Sequence, residues 1–544
     1  MLLRRLAFVL LWLGIAGALL ALAARVLPWP LILPLLLVLP WVALSAANGV
    51  LGLALLLSRD PLPRVLPALR HAKPGLPRGL TGIAVCLRNE EMARVLPPLA
   101  RLLDGLAAAG AVQRFELWFL SDTSDPALIA AEDAAIAAFR AARPQDAARI
   151  HLRRRAVNTG FKAGNIMAFL DAEGRRLDHL LTLDADSEMS AHAVLRLVAA
   201  MEARSNIALI QQLIVGRPAS SPFPRLFQFG MRAGMRAWAM GQAWWQGPEG
   251  PYWGHNALIR VAPFRTHCRL ETLPDGSTVL SHDMVEATRL TAAAWQVWCL
   301  PDEAGSLEAN PPALPEFITR DLRWGAGNMQ YLELLKRPHV TLLGRWQLAQ
   351  AILLFLCAPA WALAFALAVP LACAGAFEGV PGWSLAGVML AFWAAAHAPK
   401  LAGYAEVMLR GDRAARYGGR ARFAAGALAE LVFATLLAPI RVAHMTRFLL
   451  ALPFGARIGW AAQNRADRDV GWEDAVNLLA PHALIGLALF LPLASWAPWA
   501  LPFAFVWAGG LLLAIPFCVV TASSRFGAWL RARGLAATPE EIAG

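Results

Sequence analysis

Long apolar segments at both ends of the chain constrain its fold more than any other feature. Residues 6–57 and 346–523 are dominated by apolar side chains, whereas residues 59–345 hold most of the charge. A helix rises about 1.5 Å per residue, so about 20 apolar residues cross a hydrocarbon core of about 30 Å. The whole chain is 58% hydrophobic and 16% charged, which excludes a soluble enzyme and a disordered regulator. The sequence predicts one water-exposed domain between two membrane blocks.

The first block, residues 1–58, contains two predicted transmembrane helices at 6–24 and 31–57. A signal peptide is the alternative for the first, because Arg4 and Arg5 precede it and Ala21-Leu22-Ala23 resembles a cleavage site. The apolar run is longer than usual for a signal peptide, and a second span follows at once. We therefore expect both helices to span, which leaves residues 59–345 in the cytoplasm.

The second block, residues 346–523, is predicted to hold four spans, at 348–377, 383–409, 478–494 and 499–521. The short turns within the first pair and within the second pair carry no Lys or Arg, whereas residues 410–422 and 525–533 are rich in arginine. Basic loops stay in the cytoplasm. This predicts a multi-pass membrane protein, with residues 59–345 and the tail at 524–544 in the cytoplasm.

One apolar stretch, residues 423–454, does not fit this alternation. Arginines flank it on both sides and Pro439 interrupts it, while 32 residues are too few for two full crossings. We predict an interfacial or re-entrant element and six spans in total, with eight spans as the alternative if it forms a hairpin. Lys400, inside the predicted fourth span, either lines a cavity or snorkels toward the cytoplasmic surface.

The net charge of +12 comes from 50 Lys and Arg against 38 Asp and Glu. No basic run is interleaved with aromatic residues, as a single-strand nucleic-acid platform requires. The charge therefore indicates contact with anionic lipid and not with nucleic acid. Six scattered cysteines form no CxxC pair, so neither a disulfide framework nor a zinc site is predicted.

Residues 59–345 alternate short apolar strands with helical stretches, the pattern of a parallel sheet covered by helices. Strands are predicted at 82–87, 115–120, 151–157 and 177–183. Ligands of open α/β sheets bind beyond the carboxyl ends of the strands, and three of these ends carry acidic or amide groups. The sequence predicts a cation-assisted phosphate or nucleotide site there.

Asp184 and Asp186 follow the fourth predicted strand, where two carboxylates one residue apart can hold Mg²⁺ or Mn²⁺ against a diphosphate. Alone, such a pair is more often a cap or turn former than a catalytic site. Lys162 is one of only four lysines, lies between glycines and precedes a helix, so it suits a phosphate or ribose contact. The alternative is a solvated lysine at a helix start.

Ser281-His282-Asp283 lacks the GxSxG elbow of a hydrolase. We predict Asp283 as a general base that takes the proton of an attacking hydroxyl, with His282 structural or orienting. Arg320 and Arg323 can pair with a diphosphate, and Trp324 offers a flat face to a sugar ring. An ordinary Trp and Arg pair at a membrane interface is the alternative.

Between these motifs, residues 223–245 combine bulky apolar side chains with Arg225, Arg232 and Arg236. The pattern predicts an amphipathic helix lying under the bilayer, which would aim an acceptor at a transmembrane path. A core helix of the catalytic domain is the alternative.

As a set, the motifs Asp122, Lys162-Ala163-Gly164-Asn165, Asp184-Ala185-Asp186, Asp283 and Arg320-x-x-Arg323-Trp324 cover the whole central block. In this order and spacing they resemble the processive family 2 membrane glycosyltransferases, the group that includes bacterial cellulose synthase. The strings at 120–123, 252–257, 281–283, 320–328 and 437–441 are similar to those of its osmoregulated periplasmic glucan synthases.

The resemblance implies an α/β GT-A domain in a multi-pass protein of the bacterial inner membrane. It also implies a processive hexosyltransferase that adds glucose from UDP-glucose to a β-1,2-glucan by inversion and exports the glucan across that membrane. It also implies site roles. Asn89, Glu90, Asp122, Lys162, Asn165 and Asp184 would bind the nucleotide. Asp184 and Asp186 would bind the metal, Asp283 would be the base, and Arg320, Arg323 and Trp324 would hold diphosphate and acceptor. Acyl carrier protein and periplasmic glucan-processing proteins are implied partners.

Two departures matter. Cellulose synthases have glutamine at the position of Arg320, which argues against cellulose, and the chain is shorter than many relatives. The alternatives are a synthase of another β-glucan such as cellulose, a polyprenyl-phosphate glucosyltransferase, which would not need the Arg320-x-x-Arg323-Trp324 motif, and a non-enzymatic transporter or channel.

Overall fold

The computed structural model describes residues 1–72, 75–337, 340–456, 458 and 467–543. Two long helices open the chain, α1 (Leu2–Val26) and α2 (Trp29–Leu57). They meet at a tight turn around Pro28, and Pro34 and Pro40 lie within α2. Both helices are long and apolar enough to cross a membrane.

The central block is built on a seven-stranded mixed sheet of order β3-β2-β1-β4-β8-β6-β9, beside a small sheet of order β5-β10-β7. The strands are β1 (Thr81–Leu87), β2 (Phe115–Ser121), β3 (Ile150–Arg154), β4 (His179–Asp184), β5 (Glu188–Met189), β6 (Ile207–Gln212), β7 (Val215–Gly216), β8 (Ala257–Arg260), β9 (Gln296–Leu300) and β10 (Ser306–Glu308). The first four strands are parallel, and β8 is antiparallel to both of its neighbours. The predicted α/β architecture is confirmed.

Helices cover this sheet and connect it to the apolar segments. They are α3 (Leu62–Val65), α4 (Met92–Ala108), α5 (Pro126–Ala141), α6 (Phe161–Ala172), α7 (Ala191–Glu202), α8 (Pro222–Gln246), α9 (Val261–His267), α10 (Asp283–Ala292), α11 (Leu314–Met329) and α12 (Tyr331–Leu334). Strands β1, β2 and β4 are almost wholly buried between the layers, which explains why they read as near-continuous apolar runs.

The C-terminal region is helical. Its helices are α13 (Leu342–Cys373), α14 (Gly382–Ala396), α15 (Ala398–Leu409), α16 (Gly411–Ala415), α17 (Arg420–Ala451), α18 (Trp472–Trp496), α19 (Leu501–Leu512), α20 (Ala514–Ala522), α21 (Ser524–Ala532) and α22 (Pro539–Ala543). Among the described residues, five helices could cross a membrane, or up to seven spans form if each of two bent pairs counts as one.

The stretch predicted as a re-entrant or interfacial element is one continuous helix, α17, which runs through Pro439 without a break. A hairpin is therefore wrong, and the helix is long and apolar enough to cross a membrane once. The number of spans stays a prediction. Bends occur elsewhere: α14 and α15 meet at 76°, and the helices on either side of Leu513 meet at 62°. The arginine pattern misled the prediction because Arg441 pairs with a carboxylate of α11 and does not belong to a flanking loop.

Helix α8, predicted either under the bilayer or in the core, is mostly buried between the central sheet and the apolar helices α2 and α15. Backbones approach closely here, because a side chain at Gly52, Gly241 or Gly403 would overlap a carbonyl group of the opposing helix. Small residues permit such approach between apolar helices.

The three arginines of α8 do not form an exposed polar face. Arg225 pairs with Glu541, Arg232 with Glu303 and Glu540, and Arg236 with Glu406. These carboxylates come from three regions, namely the loop after β9, α15 and the terminal helix α22. Lys400, near the start of α15, forms an ion pair with Glu430 of α17. This is the lysine that the sequence predicted either to line a cavity or to snorkel toward the cytoplasmic surface.

Glu303 is the centre of this network, since Arg232 lies 2.9 Å away and Arg413 and Arg416 each 3.6 Å away. Burial would raise the pKa of Glu303, but the guanidinium groups outweigh burial and hold that pKa at about 2. The stabilisation that the ionised Glu303 contributes is therefore fully present at pH values above the usual pKa range of glutamate, and it is lost as the pH falls toward 2.

We expect Glu303→Gln to lower the free energy of unfolding by about 3 kcal/mol or more, because buried guanidinium groups lose their counter-charge. Thermal unfolding of the purified protein in detergent measures this. Glu91→Gln is the matched control, since its pair with Arg94 is exposed and such pairs contribute little. Equal unfolding temperatures for the two variants would contradict the prediction.

Candidate active site

The carboxyl ends of β1, β2 and β4 meet at one edge of the sheet. Cys86 pairs in register with Asp184, and Leu87 with Ser121, so the residues that follow these strands emerge side by side. This places Asn89, Asp122 and Asp186 at the same edge, as the sequence predicted from the strand ends.

Lys162 and Asp184 form an ion pair at this edge. Lys162 is the second residue of α6, which starts after Gly160 in a left-handed conformation. Burial disfavours the charge on Lys162, but the Asp184 carboxylate outweighs burial and raises the pKa of Lys162. A permanent cation therefore lies beside the two-carboxylate motif, where it suits a diphosphate.

Asp283 begins α10 and faces the same space as Lys162. A Cβ atom added to Gly254 would lie 3.8 Å from Asp283 Oδ2 and 3.9 Å from Lys162 Nζ. Gly254 has a φ of +87°, a conformation that favours glycine, and it keeps this space open. His282 lies behind, with Nδ1 2.8 Å from Glu286 Oε2, which agrees with an orienting role.

Arg320, Arg323 and Trp324 lie on one side of α11, because residues three and four apart on a helix are neighbours. The Arg320 guanidinium stacks 4.5 Å from the Trp324 ring, and Trp324 is 47% exposed. Arg320 is buried, and its Nε has no hydrogen-bond partner among the described residues. Burial lowers the pKa of Arg320, and the negative charge of Glu308 opposes this shift.

Glu308 and His255 complete the site and were not identified as site residues from the sequence. His255 Nε2 lies 3.4 Å from Glu308 Oε2 and 4.0 Å from Asp184 Oδ2, and its Nδ1 is 3.2 Å from Ser187 Oγ. Burial raises the pKa of Glu308 and His255 opposes that shift. The string 252–257 pointed toward His255, but the short strand β10 gave no signal for Glu308.

At the other end of the edge, Asp122 accepts two hydrogen bonds from Arg155, at 2.8 and 2.7 Å. Arg155 also donates to the carbonyl groups of Thr159 and Phe161 and so holds the loop before α6. The sequence gave no reason to single out Arg155. Asn89 donates its backbone N–H to Thr123 Oγ1.

Asn165 is buried in α6 with protein partners on both ends of its amide. Its Nδ2 donates to the Leu120 carbonyl, and its Oδ1 accepts from Arg153, each at 3.2 Å. These contacts fix α6 against the end of β2. Its predicted contact with a nucleotide stays a prediction, as does that of Glu90.

Asp184 and Asp186 can hold a divalent cation only when a bound substrate supplies further oxygen ligands. Within the described residues, no group of three or more His, Cys, Asp or Glu side chains could hold a metal ion alone. Mg²⁺ is typically held by one or two carboxylates, with substrate phosphates and water completing its oxygen shell. The donor set therefore fits a cation that arrives with a diphosphate.

We expect Lys162→Met to weaken binding of UDP by about tenfold or more, because a charged hydrogen bond contributes about 1.5 kcal/mol or more. Calorimetric titration with UDP measures the affinity. Lys336→Met is the control, since Lys336 is an exposed partner of Glu333 away from the site. Unchanged affinity in Lys162→Met would remove Lys162 from the nucleotide site.

Two family models match parts of the chain, and a solved glycosyltransferase aligns with it. Residues 83–268 match the family "Glycosyl transferase family 2", and residues 179–399 match "Glycosyl transferase family group 2". The mannosyltransferase PcManGT from Pyrobaculum calidifontis, solved in complex with GDP-Man and Mn²⁺, aligns over 67% of this chain and 98% of its own, with 16% identity and a TM-score of 0.41.

The curated relatives are closer. Glucans biosynthesis glucosyltransferase H of Caulobacter vibrioides is 33% identical over 80% of this chain and 69% of its own length. The protein of that name from Xanthomonas campestris pv. campestris is 32% identical over 81% of this chain and 71% of its own. Together with the observed sheet, the family matches confirm the predicted GT-A fold. The chain is a family 2 glycosyltransferase and belongs to the glucans biosynthesis glucosyltransferase H family.

Proposed function

We propose that this chain transfers glucose from UDP-glucose to a growing β-1,2-linked glucan, processively and with inversion, and exports the product across the inner membrane. One observation carries the proposal. Asp184 with Lys162, the carboxylate of Asp283 and the Arg320 and Trp324 face of α11 converge on one site at the sheet edge. The names of the curated relatives support glucose as the sugar and a glucan as the product.

The site supplies the groups that a single displacement needs. Asp283 takes the proton of the acceptor hydroxyl as its oxygen bonds to the anomeric carbon of glucose. The bond from that carbon to the UDP oxygen breaks, so the α-linked donor gives a β-linked product. A single displacement requires no nucleophile from the enzyme. The Cys86 thiol, which lies beside Lys162, stays protonated because burial raises its pKa to about 12.

Several positively charged groups would surround the departing diphosphate. Lys162, Arg320 and Arg323 would contact its oxygens, and the stacked Arg320 guanidinium reaches the site preorganised. Asp184 and Asp186 would hold Mg²⁺ or Mn²⁺, which supplies further positive charge at the diphosphate when bound.

The remaining residues divide between donor and acceptor. Asn89, Glu90 and Asp122 would surround the uridine, with Arg155 holding the Asp122 carboxylate in place. Asn165 would support the nucleotide through α6. Trp324, half exposed beside Arg320, would stack under the acceptor sugar.

Placement in the membrane belongs to the same proposal. Residues 1–58 and 346–523 would form the membrane blocks and residues 59–345 and 524–544 the cytoplasmic parts. Helix α17 contacts both α8 and α11, through Phe433 against Phe223 and Arg441 against Asp321. Helix α17 is also long and apolar enough to cross a membrane, so the interfacial position of residues 423–454 stays a prediction. Acyl carrier protein and periplasmic glucan-processing proteins remain predicted partners.

We expect the purified protein to convert radiolabelled UDP-glucose and Mg²⁺ into a β-1,2-linked oligomer, with synthesis stopped by EDTA and restored by added Mg²⁺. Sizing and linkage analysis of the product measure this. A β-1,4-linked product would indicate cellulose, labelled lipid would indicate polyprenyl-phosphate glucose, and synthesis undiminished by EDTA would refute the metal site.

We expect Asp283→Asn to lower the rate of glucan synthesis by about 10²-fold or more, because an amide cannot take the acceptor proton, while UDP affinity stays near that of the unmodified protein. Product formation and UDP titration are measured together. Asp275→Asn, in a surface turn of the same segment, is the control. Normal synthesis by Asp283→Asn would remove Asp283 as the base.

A further inference from the structure

Asp321 lies inside the Arg320-x-x-Arg323-Trp324 motif, and its carboxylate contacts helix α17. It is 4% exposed, and its carboxylate accepts hydrogen bonds from Arg441 Nε at 3.1 and 3.0 Å. His444 Nε2 lies 3.5 Å from Asp321 Oδ2. Arg441 and His444 both belong to α17, so the centre of the motif is joined to the C-terminal helical block by charge.

Apolar contacts flank this pair on both sides along α11. One turn after Asp321, a Cβ atom on Gly325 would lie 2.9 Å from Met445 Sδ, and Met445 is one turn after Arg441. One turn before Asp321, Phe317 joins Phe433 through Phe223 in an apolar cluster. The pair is therefore an ion pair set between apolar contacts that run along α11 and α17.

Two physical facts give this pair a function. Adjacent residues of a helix point about 100° apart, so fixing Asp321 on α17 also fixes the direction of Arg320, about 100° away around α11, and that of Trp324, about 60° away. A buried charge that loses its partner is strongly destabilising, so α11 cannot rotate or slide without a large cost. Burial would raise the pKa of Asp321, but Arg441 and His444 hold it at about 2.

We propose that Asp321 is a positioning residue, whose ion pair with Arg441 and contact with His444 hold α11 so that Arg320 faces the diphosphate and Trp324 faces the acceptor sugar. Because α17 belongs to the helical block, the pair links acceptor placement to the part of the chain that would carry the product. The inference rests on the proposed function, in which Arg320 and Trp324 contact diphosphate and acceptor.

The test is a double-mutant cycle with Asp321→Asn and Arg441→Gln, measured as glucan synthesis from UDP-glucose. We expect each single variant to lower kcat by about tenfold or more, with KM for UDP-glucose changed by less than about threefold, and the double variant to be no worse than the poorer single one. The charge-swapped variant, Asp321→Arg with Arg441→Asp, is expected to recover part of the lost kcat.

Helix α11 itself offers the matched control. Glu316, in its first turn, pairs with Arg468 at 2.8 Å and so also joins α11 to the C-terminal block. Glu316→Gln is expected to leave kcat nearly unchanged. Hydrogen exchange gives a second readout without substrate: Asp321→Asn should speed amide exchange at residues 320–325, and Glu316→Gln should not.

The outcomes separate the two proposals. Normal kcat in Asp321→Asn, strictly additive losses in the cycle, or an equal loss in Glu316→Gln would overturn the positioning role. If the unmodified protein makes no glucan from UDP-glucose, the proposed function fails, and hydrogen exchange then decides whether Asp321 holds α11. Unchanged exchange at 320–325 would overturn that part too.

Discussion

Three arginines of α8 are buried between the catalytic sheet and the apolar helices, and the rest of the structure depends on how their charge is balanced. An unpaired guanidinium in such a place costs several kcal/mol, so each one has a carboxylate within contact. Glu303 comes from the loop after β9, Glu406 from α15, and Glu540 from α22. Helix α8 thus connects the catalytic block, the apolar helices and the tail. These contacts help to fix the position of the sheet edge relative to α11.

Local patterns predicted the parts of the site that depend on local structure. Buried parallel strands read as apolar runs, so the positions of Asp122 and Asp184 at strand ends followed from the sequence, and parallel pairing brings such ends together. Arg320, Arg323 and Trp324 were predicted as one motif, and α11 places them on one side because residues three and four apart on a helix are neighbours. The family resemblance added the GT-A fold, which neither periodicity nor composition specifies.

Contacts between distant segments explain what the sequence did not reveal. Glu308 reaches the site from a three-residue strand, too short to leave a periodic pattern, and Arg155 acts by folding a loop onto Asp122. Arg441 looked like a topological charge beside a lipid segment because its partner Asp321 is 120 residues away. The arginines of α8 looked like a lipid-facing polar side for the same reason. The sequence around an arginine does not reveal whether its side chain faces lipid headgroups or pairs with a carboxylate from a distant segment.

The pairing of α8 with α22 also bears on when the interface can form. Arg232 and Glu540 are separated by 308 residues, and Arg225 and Glu541 by 316. Contacts so distant in sequence form late, because the loop between them must close first. During synthesis the α8 arginines must remain hydrated or lie at the lipid headgroups until the tail emerges. The close packing of α8 on its neighbours is then a final step of assembly, which follows insertion of the C-terminal helices.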